Sequence, residues 1–357
     1  MQIRRVILKN VRSLTDFDHT FTDPWNNRIP ESLLLIGPNG SGKTTLLDAI
    51  ANLWQLFENC LKGKDRERVN IMPQVIDSSN LAAIEIVNLE HEPVWVYHGS
   101  KTKVSQFIRE QVKGHRIGEY YWYLGNGVGF AGGDEYLEPG ITELAEKSVY
   151  SKQQDHWTQR MTENILGKRA DLPNIVYLES ETRVLLPIEE KFSVQPEPPE
   201  FRWLARYTPT TARKGSLHNY LYTLKVVDET AFQEIVGQAN VFLTGKRLAG
   251  FNRRGELIVE VDGGGSHTVD EFSSGEKQVL LMIATVTRWL RPGGIVLIDE
   301  PDLHLHPSLT TAFVGHLRRM VAAKDGQLII ASHAPELWQD FTPSHRLELG
   351  PVKEVQR

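Results

Sequence analysis

The sequence predicts an α/β protein built on a mostly parallel central sheet. The prediction depends on three short apolar runs without polar alternation: Ser32–Ile36, Gly294–Ile298 and Gln327–Ala331. Strands that are buried on both faces of a parallel sheet have this pattern. After the first run come a glycine-rich loop and then apolar residues at helical spacing from Thr44 to Leu61. The order strand, loop, helix is half of a βαβ unit.

Further strands and helices are predicted around this sheet. Apolar residues alternate along residues 1–23, which predicts two or three antiparallel strands before the first parallel one. Residues 82–98 and 119–130 also have β character, and 141–170 has a polar helical pattern.

The second half of the chain begins after a proline cluster at 196–199, which predicts a loop and a boundary between lobes. Helical periodicity follows over 217–243. A hairpin is expected over 254–270, with its turn at three consecutive glycines.

The composition excludes several classes of protein. Of 357 residues, 40% are hydrophobic and 24% are charged, which argues against a disordered chain or a coiled-coil rod. The single cysteine, Cys60, excludes a disulfide framework within the chain and a cysteine-based zinc cluster. No apolar run is long enough to cross a membrane, and the first residues lack a signal-peptide pattern. We expect a cytoplasmic protein with no membrane partner. Because the net charge is −5, nucleic-acid binding would need a local basic patch.

The loop after the first apolar run matches the phosphate-binding pattern G-x-x-x-x-G-K-[ST]. Its glycines allow backbone N–H groups to converge on the β- and γ-phosphates, and the helix N-terminus adds positive potential. Lys43 is expected to contact phosphate oxygens and Thr44 to bind Mg²⁺. The expected nucleotide-binding residues are Gly37, Pro38, Asn39, Gly40, Ser41, Gly42, Lys43, Thr44 and Thr45.

Two adjacent carboxylates end the second apolar run, and a histidine follows the third. Asp299 is expected to bind the Mg²⁺ held by Thr44, and Glu300 to act as general base on a water in line with the γ-phosphate. His333 is expected to polarise the γ-phosphate or the attacking water. A lone histidine at a strand end is also compatible with a purely structural role.

Two other segments have both a structural and a functional interpretation. His304 and His306 are two residues apart, as metal ligands can be, but no cysteine or third histidine is near in sequence, so a structural turn is favoured. Ser273 or Ser274 is expected to cap an apolar helix, with Glu276 completing a capping box. A second anion site at the start of that helix is the functional alternative.

In this order, the motifs resemble the ABC-type ATPase superfamily: phosphate loop, Ser-Ser-Gly-Glu signature, Asp-Glu strand and histidine strand. The resemblance is to the non-transporter branch that contains RecF, the OLD-family ATPases and the SMC-type heads. It covers about 1–60 and 255–340, including the segment Asp299–Pro307. The sequence contains no heptad-rich arm, and because only 24 residues follow His333, we expect no fused Toprim nuclease. The chain is therefore similar to stand-alone ATPase subunits of bacterial phage-defence systems of the Septu and retron-associated type.

The resemblance implies an ABC-type P-loop NTPase head in three parts. Residues 1–185 would form an N-terminal ATPase lobe with an antiparallel β insertion. Residues 186–255 would form a helical lid or signature subdomain. Residues 256–357 would form a C-terminal ATPase lobe with the signature, the Asp-Glu strand and the switch histidine.

The resemblance also implies a head-to-tail homodimer around two ATP molecules. ATP bound by the phosphate loop of one subunit would be covered by signature residues of the other, namely Ser273, Ser274 and Gly275. Arg12 matches an N-terminal arginine that contacts nucleotide in some relatives. His333 would be the γ-phosphate switch, and a polar loop would lie near Glu179–Arg183.

Three functions are compatible with the sequence. The first is an ATP-hydrolysing dimer that gates a nucleic-acid-directed or effector partner, a nuclease, in phage defence or DNA repair. The second is an ATP-held scaffold with negligible turnover that sequesters a toxin or effector, and the third is the energising subunit of a transporter. Double-stranded DNA is a candidate partner of four basic stretches: Arg4/Arg5/Lys9, Lys62/Lys64/Arg66/Arg68, Arg202/Arg206/Arg213/Lys214 and Lys246/Arg247/Arg253/Arg254.

Overall fold

The structure is a computed structural model, and it describes residues 1–61, 75–76, 79–89, 93–107, 110, 159–168, 171–187, 201–212 and 214–350. The predicted β segment 119–130 and the proline cluster 196–199 lie outside these residues. Most of the predicted helical segment 141–170 also lies outside them, and its described part is helical over 159–165. The basic stretch 62–68 and Arg213 are likewise outside the described part of the chain.

The strands are, in chain order, β1 (Gln2–Val11), β2 (Leu14–Thr20), β3 (Ser32–Ile36), β4 (Leu81–Val87), β5 (Val94–Gly99), β6 (Ile175–Leu178), β7 (Leu204–Arg206), β8 (Lys246–Phe251), β9 (Leu257–Val261), β10 (Ser266–Thr268), β11 (Ile295–Asp299), β12 (Gln327–Ala331) and β13 (Arg346–Glu348). The α-helices with defined bounds are α1 (Lys43–Leu61), α2 (Lys101–Phe107), α3 (Leu217–Val227), α4 (Glu229–Asn240), α5 (Ser274–Trp289), α6 (Pro307–Ala322) and α7 (Pro335–Trp338).

A parallel sheet of six strands forms the centre, in the order β13-β3-β12-β11-β6-β7. The three predicted apolar runs are β3, β11 and β12, which are neighbours in this sheet. Successive residues of each strand enter different cores: Leu33 and Leu35 lie in one, and Leu34 and Ile36 lie in the other. Because both faces are covered, the strands need apolar residues at every position. The predicted α/β class with a mostly parallel sheet is confirmed.

The first core lies between the central sheet and an antiparallel sheet of order β2-β1-β4-β5, with α1 inside it. The predicted N-terminal strands and the 82–98 hairpin are confirmed as parts of this second sheet. Trp54 of α1 stacks on Trp203, with ring centres 4.3 Å apart. Each indole N–H donates to the backbone carbonyl of the other residue, at 2.7 and 2.8 Å. Both rings are therefore buried with their polar atoms satisfied.

The second core lies on the opposite face of the central sheet. It contains α3 to α6 and a small antiparallel sheet of order β10-β9-β8. The segment predicted as helical over 217–243 is two helices, because Asp228 ends α3 and its side chain accepts from Ala231 N to cap α4. The hairpin predicted to turn at 263–265 is β9 and β10. None of the described helices has the length and apolarity needed to cross a bilayer.

The parallel register brings the predicted motifs to one edge of the sheet. Asp299 is level with Ala331 on the neighbouring strand, and Ala331 is level with Leu35 on the next. The residues after these strand ends therefore emerge side by side, at the edge where α/β proteins bind ligands.

Candidate nucleotide site

The phosphate loop connects β3 to α1, and two of its glycines cannot be replaced without strain. Gly37 has φ +146°, and a Cβ there would collide with the carbonyl oxygen of Leu349. Gly42 has φ +100°, and a Cβ there would lie 2.6 Å from a methyl carbon of Leu14, the first residue of β2, and 3.0 Å from Ser13 Oγ in the turn between β1 and β2. The β1–β2 turn thus packs directly on the loop, and only glycine fits both the conformation and the space.

Lys43 is buried at the first position of α1. Its ammonium donates to the backbone carbonyls of Gly37 and Pro38, at 2.9 and 3.0 Å. Burial lowers the pKa of Lys43, and the carboxylates of Glu300 and Asp299 oppose this effect. Two neutral carbonyl oxygens therefore hold the Lys43 ammonium inside the loop. A charged phosphate oxygen would be a stronger hydrogen-bond partner than either carbonyl.

Thr44 and Asp299 meet across the sheet although they are 255 residues apart in the chain. The Thr44 hydroxyl donates to Asp299 Oδ2 at 2.9 Å, and the Ser180 hydroxyl donates to the same oxygen at 3.1 Å. Burial raises the pKa of Asp299, and these two hydroxyls and Arg183 oppose it. Within the described part of the chain, Asp299 Oδ1 is buried without a hydrogen-bond partner. A hydroxyl beside a carboxylate with one unused oxygen fits Mg²⁺, which prefers oxygen ligands.

Glu300 and His333 face the same cavity as the phosphate loop. Glu300 directly follows β11 and has φ +48°, a conformation that non-glycine residues seldom adopt. His333 Nε2 lies 3.6 Å from Glu300 Oε1. The cavity has a volume of about 390 Å³. It is lined by Ser13, Asn39, Gly40, Gly42, Lys43, Thr44, Thr45, Glu300 and His333.

Arg183 holds the backbone on which the two carboxylates are placed. Its guanidinium donates to the carbonyls of Leu178, Asp299 and Glu300, the last at 2.6 Å. Its Nε donates to Gln278 Oε1 at 2.9 Å, and the Gln278 amide donates back to the Arg183 carbonyl. Gln278 belongs to α5, so this arginine ties the end of β11 to the helix that carries the signature.

The charge of Arg183 is retained although the side chain is only 1% exposed. Burial lowers the pKa of Arg183 to about 10, and the nearby carboxylates of Asp299, Glu300 and Asp302 oppose this effect. Sequence reasoning marked this segment only as a candidate polar loop. The sequence of this segment shows a charged residue, Arg183, shortly after an apolar strand. This pattern does not identify the hydrogen-bond partners of Arg183.

The turn after Glu300 is held by backbone hydrogen bonds within the turn and by the residue that follows β12. The Ser332 hydroxyl donates to Asp302 Oδ1 at 2.6 Å and accepts from Ala334 N at 2.9 Å. His306 caps α6, since its Nδ1 accepts from Ser308 N at 3.3 Å. The structure thus gives His306 a structural task in the turn. Across the described residues, no group of three or more His, Cys, Asp and Glu side chains is arranged to hold a metal ion.

The signature residues begin α5. Ser273 accepts from Glu276 N and the Glu276 carboxylate accepts from Ser273 N, so the predicted capping box is confirmed. Ser273 and Ser274 are exposed. Gly275 packs against the turn after Glu300, because a Cβ there would lie 2.7 Å from the His304 carbonyl oxygen. None of the three residues from 273 to 275 lines the cavity of its own chain.

Arg12 lies in the two-residue turn between β1 and β2, with φ +47°. Its Nη1 is 3.4 Å from Asp48 Oδ2 on α1, and its side chain is 52% exposed. Its neighbour Ser13 lines the cavity, and Arg12 is not among the residues that do. The turn therefore brings Ser13 to the phosphate loop, a residue that sequence reasoning did not select.

The chain matches two family models of AAA domains and is similar to proteins described as probable ATPases. A family model described as "AAA domain" matches residues 5–205, more than half of the chain. A second, described as "AAA domain, putative AbiEii toxin, Type IV TA system", matches residues 177–338. "Retron Vc95 probable ATPase" of Vibrio cholerae serotype O1 biovar El Tor is 23% identical, over 93% of this chain and 71% of that protein.

Shorter matches have higher identity. "Retron Ec83 probable ATPase" of Escherichia coli is 33% identical over 32% of this chain, and "Protein ea59" of Escherichia phage lambda is 39% identical over 20%. The aligned parts span only 21% and 14% of those two proteins. Among solved structures, an SMC head bound to the C-winged helix domain of ScpA aligns over 95% of this chain and 92% of its own chain. The sequence identity is 15% and the TM-score is 0.43. The chain belongs to the AAA domain family of P-loop ATPases and resembles the probable ATPases of retrons.

Proposed function

We propose that this chain binds ATP with Mg²⁺ in the cavity beside the phosphate loop and hydrolyses it. The observation that carries the proposal is the hydrogen bond between Thr44 and Asp299, with Glu300 and His333 on the wall of the same cavity. A phosphate loop, two metal-ligating oxygens and a carboxylate next to a histidine are the parts that phosphoryl transfer to water requires.

Each side chain has a distinct task in this proposal. When ATP binds, Lys43 replaces its hydrogen bonds to the loop carbonyls with hydrogen bonds to β- and γ-phosphate oxygens. The backbone N–H groups of the loop bind the remaining phosphate oxygens. Glu300 accepts the proton of the attacking water, and His333 orients Glu300 and donates to the γ-phosphate. Thr44 and Asp299 would hold Mg²⁺, which when bound neutralises phosphate charge.

Replacing Lys43 tests the nucleotide site itself. Lys43→Ala is expected to weaken ATP binding roughly 100-fold or more, because a charged hydrogen-bond donor to the phosphates is lost. Titration with a fluorescent ATP analogue measures this change. The matched control is Lys324→Ala, since Lys324 also has a pKa lowered by burial and donates to a backbone carbonyl, Leu290 O at 2.7 Å, outside the cavity. Unchanged ATP affinity in Lys43→Ala would rule out the site.

The proposed working unit is a homodimer around two ATP molecules. The exposed Ser273 and Ser274 lie outside the cavity of their own chain, so they are available to a nucleotide on a second copy. The N-terminus of α5 presents backbone N–H groups there, which suit an anion. The dimer would in turn gate a separate effector, a nuclease, as part of phage defence, an assignment supported by the similarity to retron ATPases.

An arginine at the signature tests the dimer. Ser273→Arg is expected to abolish ATP-induced dimerisation and leave ATP binding to the monomer unchanged, since the added bulk lies at the proposed interface only. Light scattering after gel filtration, with a non-hydrolysable ATP analogue, measures the mass. Ser266→Arg, at an exposed serine of β10, is the control. A dimer that persists in Ser273→Arg would contradict the assignment of the signature to the partner nucleotide.

Steady-state ATP hydrolysis with and without double-stranded DNA carrying free ends separates the proposed roles. A rise in hydrolysis with DNA is expected if the partner is nucleic acid. Hydrolysis that is indifferent to DNA would favour gating by a protein partner. ATP binding without any hydrolysis would overturn the enzymatic proposal and favour an ATP-held scaffold.

A further inference from the structure

A second cavity, which we call the basic cleft, lies beside the edge strand β7. Its volume is about 280 Å³, and it opens between the C-terminal end of α5 and the start of α3. The charged residues that line it are all cations: Arg202, Arg206, Lys214 and Arg288. None of the described carboxylates lines it. Like charges that converge on one cleft repel each other, so an anion bound between them would be favoured.

Aromatic rings hold two of these cations in position. The guanidinium carbon of Arg202 lies 4.1 Å from the ring centre of Trp289, and that of Arg288 lies 4.4 Å from the same ring. Arg288 is also 4.7 Å from the ring of Tyr220. A guanidinium uses its face in such a contact, whereas it binds oxygen anions through its N–H edge. Trp289 is buried, and its ring contacts both guanidinium groups.

Hydroxyl groups complete the lining. Thr208, Thr210 and Thr285 also line the cleft, and the Thr210 hydroxyl accepts from Ala212 N at 3.0 Å. The Arg206 guanidinium is also paired with Glu179, and Arg288 Nη1 donates to the Gly215 carbonyl at 3.4 Å. Arg202, Lys214 and Arg288 bring further positive charge from three different segments of the chain. Arginine, lysine and hydroxyl donors together are the groups that proteins use to contact phosphate oxygens.

We propose that the basic cleft binds the terminal phosphate monoester of a nucleotide, either free or at the end of a nucleic-acid strand. A phosphate monoester carries nearly two negative charges at neutral pH, which suits several converging cations better than the single charge of a diester. A surface that binds a strand along its length is open and extended, whereas this cleft is a local cavity of about 280 Å³. The proposal does not depend on ATP hydrolysis, because the basic cleft and the cavity beside the phosphate loop share no lining residue.

Fluorescence anisotropy of the full chain tests the ligand class. The probes are dye-labelled single-stranded DNA with a phosphate at the 5′ end, at the 3′ end, or at neither end. A non-hydrolysable ATP analogue with Mg²⁺ is kept saturating, so that the first cavity is occupied. At least one phosphorylated probe is expected to bind about tenfold tighter than the unphosphorylated one, with an affinity that falls as salt rises. Equal affinities for the three probes would overturn the proposal.

Competition identifies the source of the phosphate. Thymidine monophosphate that displaces the probe at an affinity similar to that of the strand would assign the cleft to free nucleotides. Much weaker displacement would assign it to strand ends. Displacement by unphosphorylated thymidine to the same extent would overturn a phosphate site.

Two variants locate the binding. Arg288→Gln and Lys214→Gln are each expected to weaken binding of the phosphorylated probe about tenfold. The matched control is Arg318→Gln, because Arg318 also stacks on an aromatic ring, Phe341 at 4.7 Å, but lies on α6 outside the cleft. ATP binding, measured in the same samples, is expected to be unchanged and reports that each variant is folded. An equal loss in the control, or no loss in the cleft variants, would refute the location.

Discussion

Glu300→Gln is expected to slow ATP hydrolysis roughly 10²- to 10⁴-fold, the usual contribution of a general base. The amide has the size of the carboxylate and can still hydrogen-bond near His333, 3.6 Å away, but it cannot take a proton from water. ATP affinity is expected to be preserved, because Lys43 and the loop backbone provide the phosphate contacts. The variant should therefore hold uncleaved ATP and remain dimeric for longer than the wild type.

Single-turnover hydrolysis and ATP titration together measure this effect. Glu348→Gln is the matched control, because Glu348 is exposed at the carboxyl end of β13 in the same sheet and does not line the cavity. Its hydrolysis rate is expected to equal that of the wild type. Normal hydrolysis in Glu300→Gln would show that Glu300 is not the base.

Arg183→Met is expected to reduce the free energy of unfolding by about 3–5 kcal/mol, because several buried acceptors lose their donor at once. The affected groups are the carbonyls of Leu178, Asp299 and Glu300 and the side chain of Gln278. Hydrolysis is expected to fall as well, since Glu300 is held at a positive φ through this network. Arg183→Lys should not restore either property, because an ammonium cannot reproduce the planar fork of donors.

Urea unfolding measures the stability change. The control is Arg247→Met, which removes a surface pair with Glu260 and is expected to cost less than about 1 kcal/mol. Gln278→Leu and the double variant with Arg183→Met complete a double-mutant cycle, and strong coupling is expected because the two side chains are mutual partners. A loss below about 1 kcal/mol in Arg183→Met would contradict the assignment of Arg183 as the residue that holds this backbone.

The nucleotide cavity and the basic cleft lie in different parts of the fold. The nucleotide cavity lies at the carboxyl ends of β3, β11 and β12, where the parallel register gathers polar residues from distant segments. The basic cleft lies beside β7, the edge strand of the same sheet, which β6 separates from β11. A ligand in the cleft would contact α5, the helix that begins with the signature and carries Gln278.

Features that depend on neighbours in the chain were determined by the sequence alone. The phosphate loop is recognisable because its glycines and its lysine must be close together to surround a phosphate. The capping box of Ser273 and Glu276 closes within one turn of helix. The three apolar runs predicted the sheet, since burial on both faces leaves no position for alternation. Short strands such as β7 and β13 were not predicted, because three residues contain no period and take their conformation from the strand beside them.

Features that depend on distant segments were decided only by the tertiary structure. Ser180 reaches Asp299 across 119 residues and Arg183 reaches the same residue across 116, and no spacing rule connects such positions. Ser13 rather than Arg12 lines the cavity because the turn packs on Gly42, which sequence patterns do not reveal. The basic cleft combines charges from before β7, after it and from the end of α5. Local chemistry can be read from the order of residues, whereas these contacts arise only when the sheet brings separate segments to the same place.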